Sequence, residues 1–435
     1  MSNTSRHIHL IGIGGIGMSA LAQYYRHIEV AVSGSDRDPN PAVHEMLTRA
    51  GASVVVGHDP DNIPADADLV VYSDAVVEGS EGWDERMEAE RRGIRTISYF
   101  EALGEVSKDT FTIAVAGTHG KTTTTAMLVK ILVDAGLKPT AIVGSIMRDF
   151  ESNFVAGDSK LFVIEACEYK DHLLKLHPNI LVVTNLELDH TDWFVDLAAV
   201  QATFRKAIEA LPEDGVLVTD EHDLAIASLV SSCKGEVVDY TKEELGVVPQ
   251  SGFNYANAQA AAGAARAYAR AAHVSLGDES ATRSLNEFKG AWRRFEYKGV
   301  TENGAAVYDD YAHHPTAIFK TIAMARERFP EKRIVVVFHP HLYSRTQSLF
   351  NEFAEALSTA DEAYVLPIYP ARERAEDFPG VTGETLVRAI SEIAGNGHYV
   401  HSLEEAEKVS RSLGGETALI TMGAGDVFKI AERVV

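Results

Sequence analysis

Short apolar runs rich in β-branched residues recur along this chain, and segments with helical periodicity separate them. In the first hundred residues the runs predict strands and the intervening segments predict helices. The predicted strands are residues 7–11, 30–33, 53–56 and 69–73, and the predicted helices are residues 41–50 and 81–92. Strands that alternate with helices indicate βαβ units, so this region predicts a parallel sheet.

The same alternation continues through two further blocks. The second block predicts strands at residues 111–116, 160–164 and 180–185 and helices at residues 122–135 and 255–272. The third block predicts strands at residues 305–309, 333–338, 362–366 and 418–421 and helices at residues 315–329 and 348–359. We therefore expect an α/β protein of three domains, with boundaries near Lys108 and Arg294. The predicted domains are residues 1–107, 108–293 and 294–435.

Composition and charge narrow the classes of partner. The net charge of −23 repels nucleic acid and anionic lipid, so neither is an expected partner. Two cysteines cannot form a disulfide framework, and the first 22 residues lack the basic and continuous apolar parts of a signal peptide. No run approaches the roughly 18 apolar residues of a membrane span. We expect a cytoplasmic protein that does not insert into a membrane.

A glycine-rich loop lies between the predicted strand 111–116 and a helix, with the sequence Gly117-Thr118-His119-Gly120-Lys121-Thr122-Thr123. Its glycines let backbone N–H groups approach phosphate oxygens, and the helix N-terminus adds partial positive charge. In such a loop Lys121 is expected to supply a charge for the outer phosphates, and the Thr122 hydroxyl is a candidate ligand for Mg²⁺. Val115 stands where the general phosphate-loop pattern has glycine. The loop predicts ATP binding, and a glycine-rich turn with an incidental lysine is the alternative.

Two polar residues follow other predicted strands of the same block. Glu165 ends one strand, at the edge of the sheet where ligands bind, and is a candidate Mg²⁺ ligand opposite Thr122. His190 follows the next strand and is a candidate ligand of the same metal. The alternatives are an exposed acid in a turn and a structural histidine.

These motifs and several others occur in the order typical of one family, and the chain resembles the Mur ligases over nearly its whole length. The first motif is Gly12-x-Gly14-Gly15-x-Gly17-Met18-Ser19, and the motifs after the phosphate loop are Glu165-Ala166-Cys167-Glu168-Tyr169 and Thr184-Asn185-x-Glu187-x-Asp189-His190. The later motifs are Asn254-x-x-Asn257, Arg293-Arg294-Phe295-Glu296, Asp309-Asp310-Tyr311-Ala312-His313-His314-Pro315, His339-Pro340-His341-x-x-Ser344-Arg345-Thr346 and Met422-Gly423-Ala424-Gly425-Asp426.

The resemblance implies a division of labour. A Rossmann-like N-terminal domain would hold a UDP-sugar, a P-loop ATPase-type central domain would hold ATP and Mg²⁺, and a Rossmann-like C-terminal domain would bring the amino acid. It implies that L-alanine is joined to the lactyl carboxylate of UDP-N-acetylmuramate. ATP would first convert that carboxylate into an acyl phosphate, which the amine then attacks with release of phosphate.

The resemblance also assigns roles to residues. The implied catalytic residues are Lys121, Glu165, His190, Arg294, Asp310 and His313. The implied ATP contacts are Gly117, Thr118, His119, Gly120, Lys121, Thr122, Thr123, Asn254, Asn257, Arg294 and Asp310. The implied metal ligands are Thr122, Glu165 and His190, and the implied amino-acid contacts are Tyr311, His313, His341 and Arg345. His190 and His313 are alternative acceptors for the proton that the incoming amine loses.

The first glycine motif also fits the dinucleotide fingerprint, with Asp36 about 20 residues further on. Alone it would indicate an NAD-dependent dehydrogenase. A pyrophosphate on a helix N-terminus is all that the motif requires, and the ATP loop downstream favours a UDP-sugar instead. The expected contacts are Gly12, Gly14, Gly15, Gly17, Met18, Ser19, Ser35, Asp36, His58 and Ser73.

The chain departs from the family pattern in three places. Phe253 stands where the family often has histidine, Leu342 stands where many members have arginine, and residues 237–253 are short enough that the central sheet is expected to lack a hairpin.

Clustered histidines in the third block leave a zinc site as a disfavoured alternative. The rival functions are a related ligase that adds a peptide or another amino acid, and a nucleotide-sugar sensor without turnover.

Overall fold

The computed structural model describes residues 6–246, 248, 252–277, 279–371 and 373–435. The chain divides into two compact units. The first comprises Met1–Leu186, Gln201–Pro249 and Ala256–Lys289, and the second comprises Glu187–Val200, Gln250–Tyr255 and Gly290–Val435.

A five-stranded parallel sheet opens the first unit, in the spatial order β3-β2-β1-β4-β5. Its strands are β1 (His7–Ile11), β2 (Ala31–Asp36), β3 (Ser53–Val56), β4 (Leu69–Tyr72) and β5 (Arg95–Ser98). Its helices are α1 (Ile16–His27), α2 (Pro41–Arg49), α3 (Trp83–Arg91) and α4 (Tyr99–Lys108). The strand order reverses at β1, and such a reversal leaves a ligand crevice at the carboxyl ends of the strands. Gly12 follows β1 directly, so the first glycine motif lies at this crevice.

A seven-stranded sheet forms the rest of the first unit, in the order β12-β11-β10-β6-β9-β7-β8. Its strands are β6 (Phe111–Ala116), β7 (Thr140–Met147), β8 (Ser152–Val155), β9 (Leu161–Glu165), β10 (Ile180–Val183), β11 (Val216–Thr219) and β12 (Glu236–Asp239). All neighbours are parallel except β7 and β8. The accompanying helices are α5 (Lys121–Asp134), α6 (Leu197–Glu209), α7 (Ala227–Val230), α8 (Phe253–Ala271) and α9 (Ser280–Glu287).

The central strands of this sheet are apolar because both of their faces are covered. Every residue of β10 is buried, as is typical of a parallel strand between helices. Helix α5 buries ten of its fourteen residues, and the alanines of α8 allow that helix to pack closely on the same core. The resulting rigid centre carries the loop that follows β6.

Asn153 on β8 joins the two sheets of the first unit. It is fully buried, its amide donates to the Ile16 carbonyl and to Ser19 Oγ (3.0 Å), and its carbonyl oxygen accepts from Gln23 (3.0 Å). Because all three partners lie on α1, the helix after the first glycine motif is fixed against the sheet that carries the second.

The second unit contains a six-stranded sheet in the order β13-β14-β18-β15-β16-β17. Its strands are β13 (Glu296–Val300), β14 (Ala306–Asp310), β15 (Arg333–Phe338), β16 (Glu362–Val365), β17 (Gly397–Tyr399) and β18 (Thr417–Met422), and only β13 is antiparallel to its neighbour. Its helices are α10 (Pro315–Arg328), α11 (Tyr343–Ser348), α12 (Phe350–Ser358), α13 (Gly383–Ala394), α14 (Leu403–Ser412) and α15 (Phe428–Arg433). The carboxyl ends of β14, β18 and β15 meet at one edge, next to Asp310, Gly423 and His339.

The predicted α/β class is confirmed, since three largely parallel sheets occur in chain order. The domain boundaries at residues 107 and 293 stay predictions. An antiparallel β7–β8 pair edges the central sheet. In the 237–253 region Val247, Pro249, Gln250 and Ser251 lie outside the described residues. Within the part of the chain that the structure describes, no helix is both long and apolar enough to cross a membrane.

Candidate active site

The loop after β6 is held in a conformation that only glycine permits at two positions. Gly117 has φ +126° and Gly120 has φ +84°. A Cβ at Gly117 would lie 2.2 Å from Thr184 Oγ1, and one at Gly120 would lie 2.2 Å from Asn257 Oδ1. Glycine is therefore required at both positions, because the backbone has a positive φ and because a side chain would collide with a neighbouring residue.

Thr184 and Asn185, at the end of β10, hold this loop through its backbone. The Asn185 carbonyl accepts from Thr118 N (2.9 Å), and the Asn185 side chain accepts from His119 N (2.9 Å). The His119 carbonyl in turn accepts from Thr184 Oγ1 (2.6 Å) and Asn185 Nδ2 (2.9 Å). Two loop amides are thus occupied by protein, and helix α5 begins after Gly120 without a side-chain cap. The N-terminal amides of α5 are consequently the groups suited to phosphate oxygens.

Lys121 is a partly buried cation that folds back onto the loop. Its Nζ donates to the carbonyls of Gly117 and Thr118 (3.1 Å to the latter) and to both carboxylate oxygens of Glu168 (3.1 Å each). Burial by itself lowers the pKa of Lys121, but Glu168, with Cys167 and Glu165, outweighs burial and raises it. The ammonium group therefore stays charged.

Thr122 and Glu165 lie together, as the sequence predicts. Thr122 Oγ1 donates to Glu165 Oε1 (3.0 Å), and Glu165 Oε2 accepts from Gly144 N (2.9 Å). A hydroxyl and a carboxylate are the oxygen ligands that Mg²⁺ prefers, so this pair fits the ion. His190, the third predicted ligand, belongs to the second unit, where it has φ +51° and its backbone N–H donates to Asp189 (2.6 Å).

The two asparagines expected to contact the adenine are three residues apart near the start of α8. Asn257 is buried and packs against Gly120, so it also supports the phosphate loop. Asn254 belongs to the second unit, where its amide contacts Met324 Sδ (3.6 Å). Thr123 follows Thr122 in the first turn of α5.

The first glycine motif forms a second loop at a helix N-terminus. Gly12 has φ +84°, and a Cβ there would lie 2.7 Å from Ser73 Oγ. A Cβ at Gly17 would lie 2.7 Å from the Tyr99 hydroxyl. Helix α1 starts after Gly15 without a side-chain cap, which leaves its first amides for an anion.

The other residues predicted to contact the UDP-sugar differ in what they leave available for a ligand. Asp36 accepts from Gly14 N (2.9 Å), so it occupies one loop amide itself. The side chains of Met18 and Ser19 are buried, which leaves only their backbone for a ligand. Ser35 Oγ and His58 Nδ1 lie 3.0 Å apart at the ends of neighbouring strands.

In the second unit, Arg345 and Asp189 form a buried ion pair. Arg345 Nε and Nη2 lie 3.0 and 2.9 Å from Asp189 Oδ1, and Arg345 Nη1 lies 3.5 Å from His341 Nδ1. Burial by itself raises the pKa of Asp189, but Arg345, with His190, His313 and His314, holds it well below its usual value.

Asp310 is the last residue of β14, and His313 follows it three residues later. His313 Nδ1 contacts the Tyr311 carbonyl (2.9 Å), and burial together with Arg345 holds the pKa of His313 well below 6.5. Asp310 accepts from Phe295 N and Ala312 N (2.7 Å each), and burial raises its pKa to about 6 against the effect of Arg294. The Arg294 guanidinium stacks 5.1 Å from the Tyr311 ring.

Family models match most of the chain in three consecutive parts. They are the Mur ligase family catalytic domain (residues 7–110), the Mur ligase middle domain (residues 115–265) and the Mur ligase glutamate ligase domain (residues 293–425). A UDP-N-acetylmuramate–L-alanine ligase of Clostridium acetobutylicum is 36% identical, over 99% of this chain and 98% of that one.

The chain belongs to the Mur ligase family.

Solved structures of Mur ligases are also similar. The UDP-N-acetylmuramate–alanine ligase MurC from Thermotoga maritima has 28% identity and a TM-score of 0.79, with 98% of each chain covered. The UDP-N-acetylmuramate:L-alanyl-γ-D-glutamyl-meso-diaminopimelate ligase of Neisseria meningitidis also has 28% identity, with a TM-score of 0.59 over 67% of this chain and all of that one.

Four acidic and basic residues of this Mur ligase shape the site although sequence reasoning gave them no role. They are Glu168, which holds Lys121; Asp189, which holds Arg345; Glu85, which contacts Ser35 and His58; and Arg293, which pairs with Asp309 (2.8 Å). Three of them stand inside quoted motifs, so motif membership was the available signal. Glu85 stands outside every motif.

Replacement of Arg345 tests whether its ion pair with Asp189 stabilises the fold. In Arg345→Met the buried Asp189 loses its cation, and we expect about 3 kcal/mol lower stability near neutral pH. Asp189 contributes stability above its unfolded pKa, and this contribution is lost as the pH falls through its lowered folded pKa. The difference from the wild type should therefore be smaller at about pH 3.5 than at about pH 7 in urea unfolding. Arg49→Met removes an exposed pair and is the control. Equal losses in the two variants would contradict a stabilising buried pair.

Proposed function

We propose that this Mur ligase joins L-alanine to the lactyl carboxylate of UDP-N-acetylmuramate, with conversion of ATP to ADP and phosphate, in peptidoglycan precursor synthesis. The observation that carries the proposal is the presence of two glycine loops at helix N-termini in one compact unit. One suits a nucleotide pyrophosphate, and the other, with Lys121, suits a triphosphate. The relative from Clostridium acetobutylicum, similar over its full length, carries this activity in its name.

A carboxylate does not react with an amine in water because oxide is a poor leaving group. Transfer of the γ-phosphoryl group of ATP gives an acyl phosphate, and the attacking amine then displaces phosphate from its carbonyl carbon. The first step brings two anions together, and the Lys121 ammonium stabilises the charge that develops between them. When bound, Mg²⁺ would be held by Thr122 and Glu165 and would neutralise phosphate charge. The role of His190 as a metal ligand stays a prediction.

The second unit supplies the residues that we assign to the nucleotide and the amino acid. Arg294 and Asp310 are assigned to ATP. Tyr311, His313, His341 and Arg345 are assigned to L-alanine, whose carboxylate suits the guanidinium of Arg345. Because ATP is the co-substrate and both cysteines are free, we assign the protein to the cytoplasm.

A related activity is the second candidate. The similar protein from Neisseria meningitidis is named as a ligase of a tripeptide rather than of a single amino acid. The two activities differ only in the amine that attacks the acyl phosphate.

An assay of phosphate release separates the candidates. With UDP-N-acetylmuramate and ATP, we expect L-alanine to stimulate release more than glycine, L-serine, D-glutamate or the tripeptide L-alanyl-γ-D-glutamyl-meso-diaminopimelate. Mass spectrometry of the product identifies the new amide. Release only with the tripeptide or with D-glutamate would replace the proposal, and no release with any amine would favour a sensor without turnover.

Lys121→Ala tests the phosphate loop. Without the ammonium group the transferred phosphoryl group loses a cation assigned to it, so turnover should fall at least about 100-fold. Binding of UDP-N-acetylmuramate, measured by calorimetry, should be unchanged because the other glycine loop is intact. Lys160→Ala removes an exposed lysine of the same unit and should retain full activity. Unimpaired turnover in Lys121→Ala would reject the assigned role.

His313→Gln tests the acceptor of the amine proton. The Tyr311 carbonyl can only accept, so the neutral His313 ring carries its proton on Nδ1 and presents a lone pair on Nε2. Its pKa lies well below 6.5, so the acidic limb of the pH–rate profile should also lie well below pH 6.5. The variant should lose that limb and about 100-fold in rate. His401→Gln, at an exposed histidine, is the control. An unchanged profile in His313→Gln would leave His190 as the candidate.

A further inference from the structure

A line of hydrogen-bonded polar side chains runs through the first sheet and its helix α3, and only Ser35 and His58 among its members are predicted contacts of the UDP-sugar. It begins at the exposed Asp66 and ends beside the first glycine loop. Its members in order are Asp66, His7, Ser33, His9, Glu85, Ser35 and His58.

Glu85, on α3, is the centre of this line and has no exposed surface. Its Oε1 accepts from His9 Nε2 (2.9 Å), and its Oε2 accepts from Ser35 Oγ (2.7 Å) and His58 Nδ1 (2.9 Å). A buried carboxylate is costly even when it is well paired, and an apolar side chain of similar size often gives a more stable fold. A role in orienting its partners explains its presence better than stability does.

The hydrogen bonds at Glu85 determine which nitrogen of His58 carries a proton. Ser35 Oγ donates its one proton to Glu85, so it offers only lone pairs to His58. His58 Nδ1 thus faces two acceptors, Ser35 Oγ (3.0 Å) and Glu85 Oε2 (2.9 Å), and must be the donor. The other nitrogen, Nε2, has no hydrogen bond to the described part of the chain and is an acceptor in the neutral ring.

The position of His58 places this acceptor where a nucleoside would lie. His58 follows β3, two strands from the glycine loop, and the carbonyl of Ser35 accepts from Gly12 N (2.8 Å). If the loop holds the pyrophosphate of a UDP-sugar, the neighbouring strand ends β2 and β3 are next to its ribose and base.

We propose that Glu85 is a positioning residue for base selection: with Ser35 it fixes the His58 proton on Nδ1, so that Nε2 accepts from the imide N–H of uracil. Cytosine has a lone pair at the corresponding ring nitrogen and would oppose Nε2 with a second acceptor. Sites that hydrogen-bond a substrate N–H discriminate strongly against analogues that lack it. This inference rests on the proposed UDP-sugar function.

Calorimetry with UDP and CDP on the full chain tests the selection. We expect the wild type to prefer UDP. In Glu85→Gln one carboxylate oxygen becomes an NH₂ group, which donates and cannot accept, so the remaining oxygen can accept from only one of His9 and His58. UDP affinity should fall about tenfold, and the UDP-to-CDP affinity ratio should fall towards one. The KM for the UDP-sugar should rise by a larger factor than kcat falls, and ATP affinity should be unchanged.

Two further variants guard against a merely structural effect. Ser35→Ala removes one of the two acceptors of His58 and should lower the UDP-to-CDP ratio in the same direction by a smaller factor. Glu88→Gln alters an exposed pair on the same helix and should match the wild type in every measurement.

The ¹⁵N spectrum of the histidine rings reports the position of the proton directly, and His58→Gln assigns the signal. We expect a protonated Nδ1 and an unprotonated Nε2 in the wild type, and a mixture in Glu85→Gln. A proton on Nε2 in the wild type, or a wild-type affinity ratio in Glu85→Gln, would overturn the positioning role while leaving the proposed function intact. Absence of UDP binding to a wild type with the expected spectrum would instead reject the UDP-sugar function, and the base selection with it.

Discussion

The close packing of β6 between β9 and β10 is the constraint on which the phosphate site depends. Parallel strands place their carboxyl ends at one edge, and the register pairs Val115 with Glu165 and Ala116 with Val183. The loop, the carboxylate and the Thr184-Asn185 segment therefore meet without long connections. Gly117 completes the arrangement because any side chain there would collide with Thr184.

The overall charge of −23 makes this local construction necessary. An anionic substrate is repelled by the molecule as a whole, so short-range groups must hold it. The helices that start after Gly15 and Gly120 have no side-chain cap, so their first amides can bind an anion. Once a ligand covers these amides, dissolved salt weakens the interaction only slightly. Lys121 adds a full positive charge, and Glu168 forms an ion pair with it.

Much of the fold could be predicted because its central strands are apolar runs next to glycine motifs. The bounds of β1, β3, β6 and β15 agree with the predicted runs. Strands such as β5 and β8 were missed because they are short and contain polar residues, and partner strands stabilise them rather than local propensity. The glycines of each loop could be recognised in the sequence because the loop backbone accepts no other residue at those positions. Glu85 could not be found, since its role depends on tertiary contacts that no local pattern encodes.

A common arrangement links the candidate sites. A buried or nearly buried acid pairs with three of the basic groups assigned to a substrate and holds each of them in position. Because the acids contact no substrate themselves in this arrangement, a change at one of them alters recognition without removing a contact. A list of the residues that contact a ligand would omit these acids, although they determine which donors and acceptors the ligand meets. The three pairs are Lys121 with Glu168, His58 with Glu85, and Arg345 with Asp189.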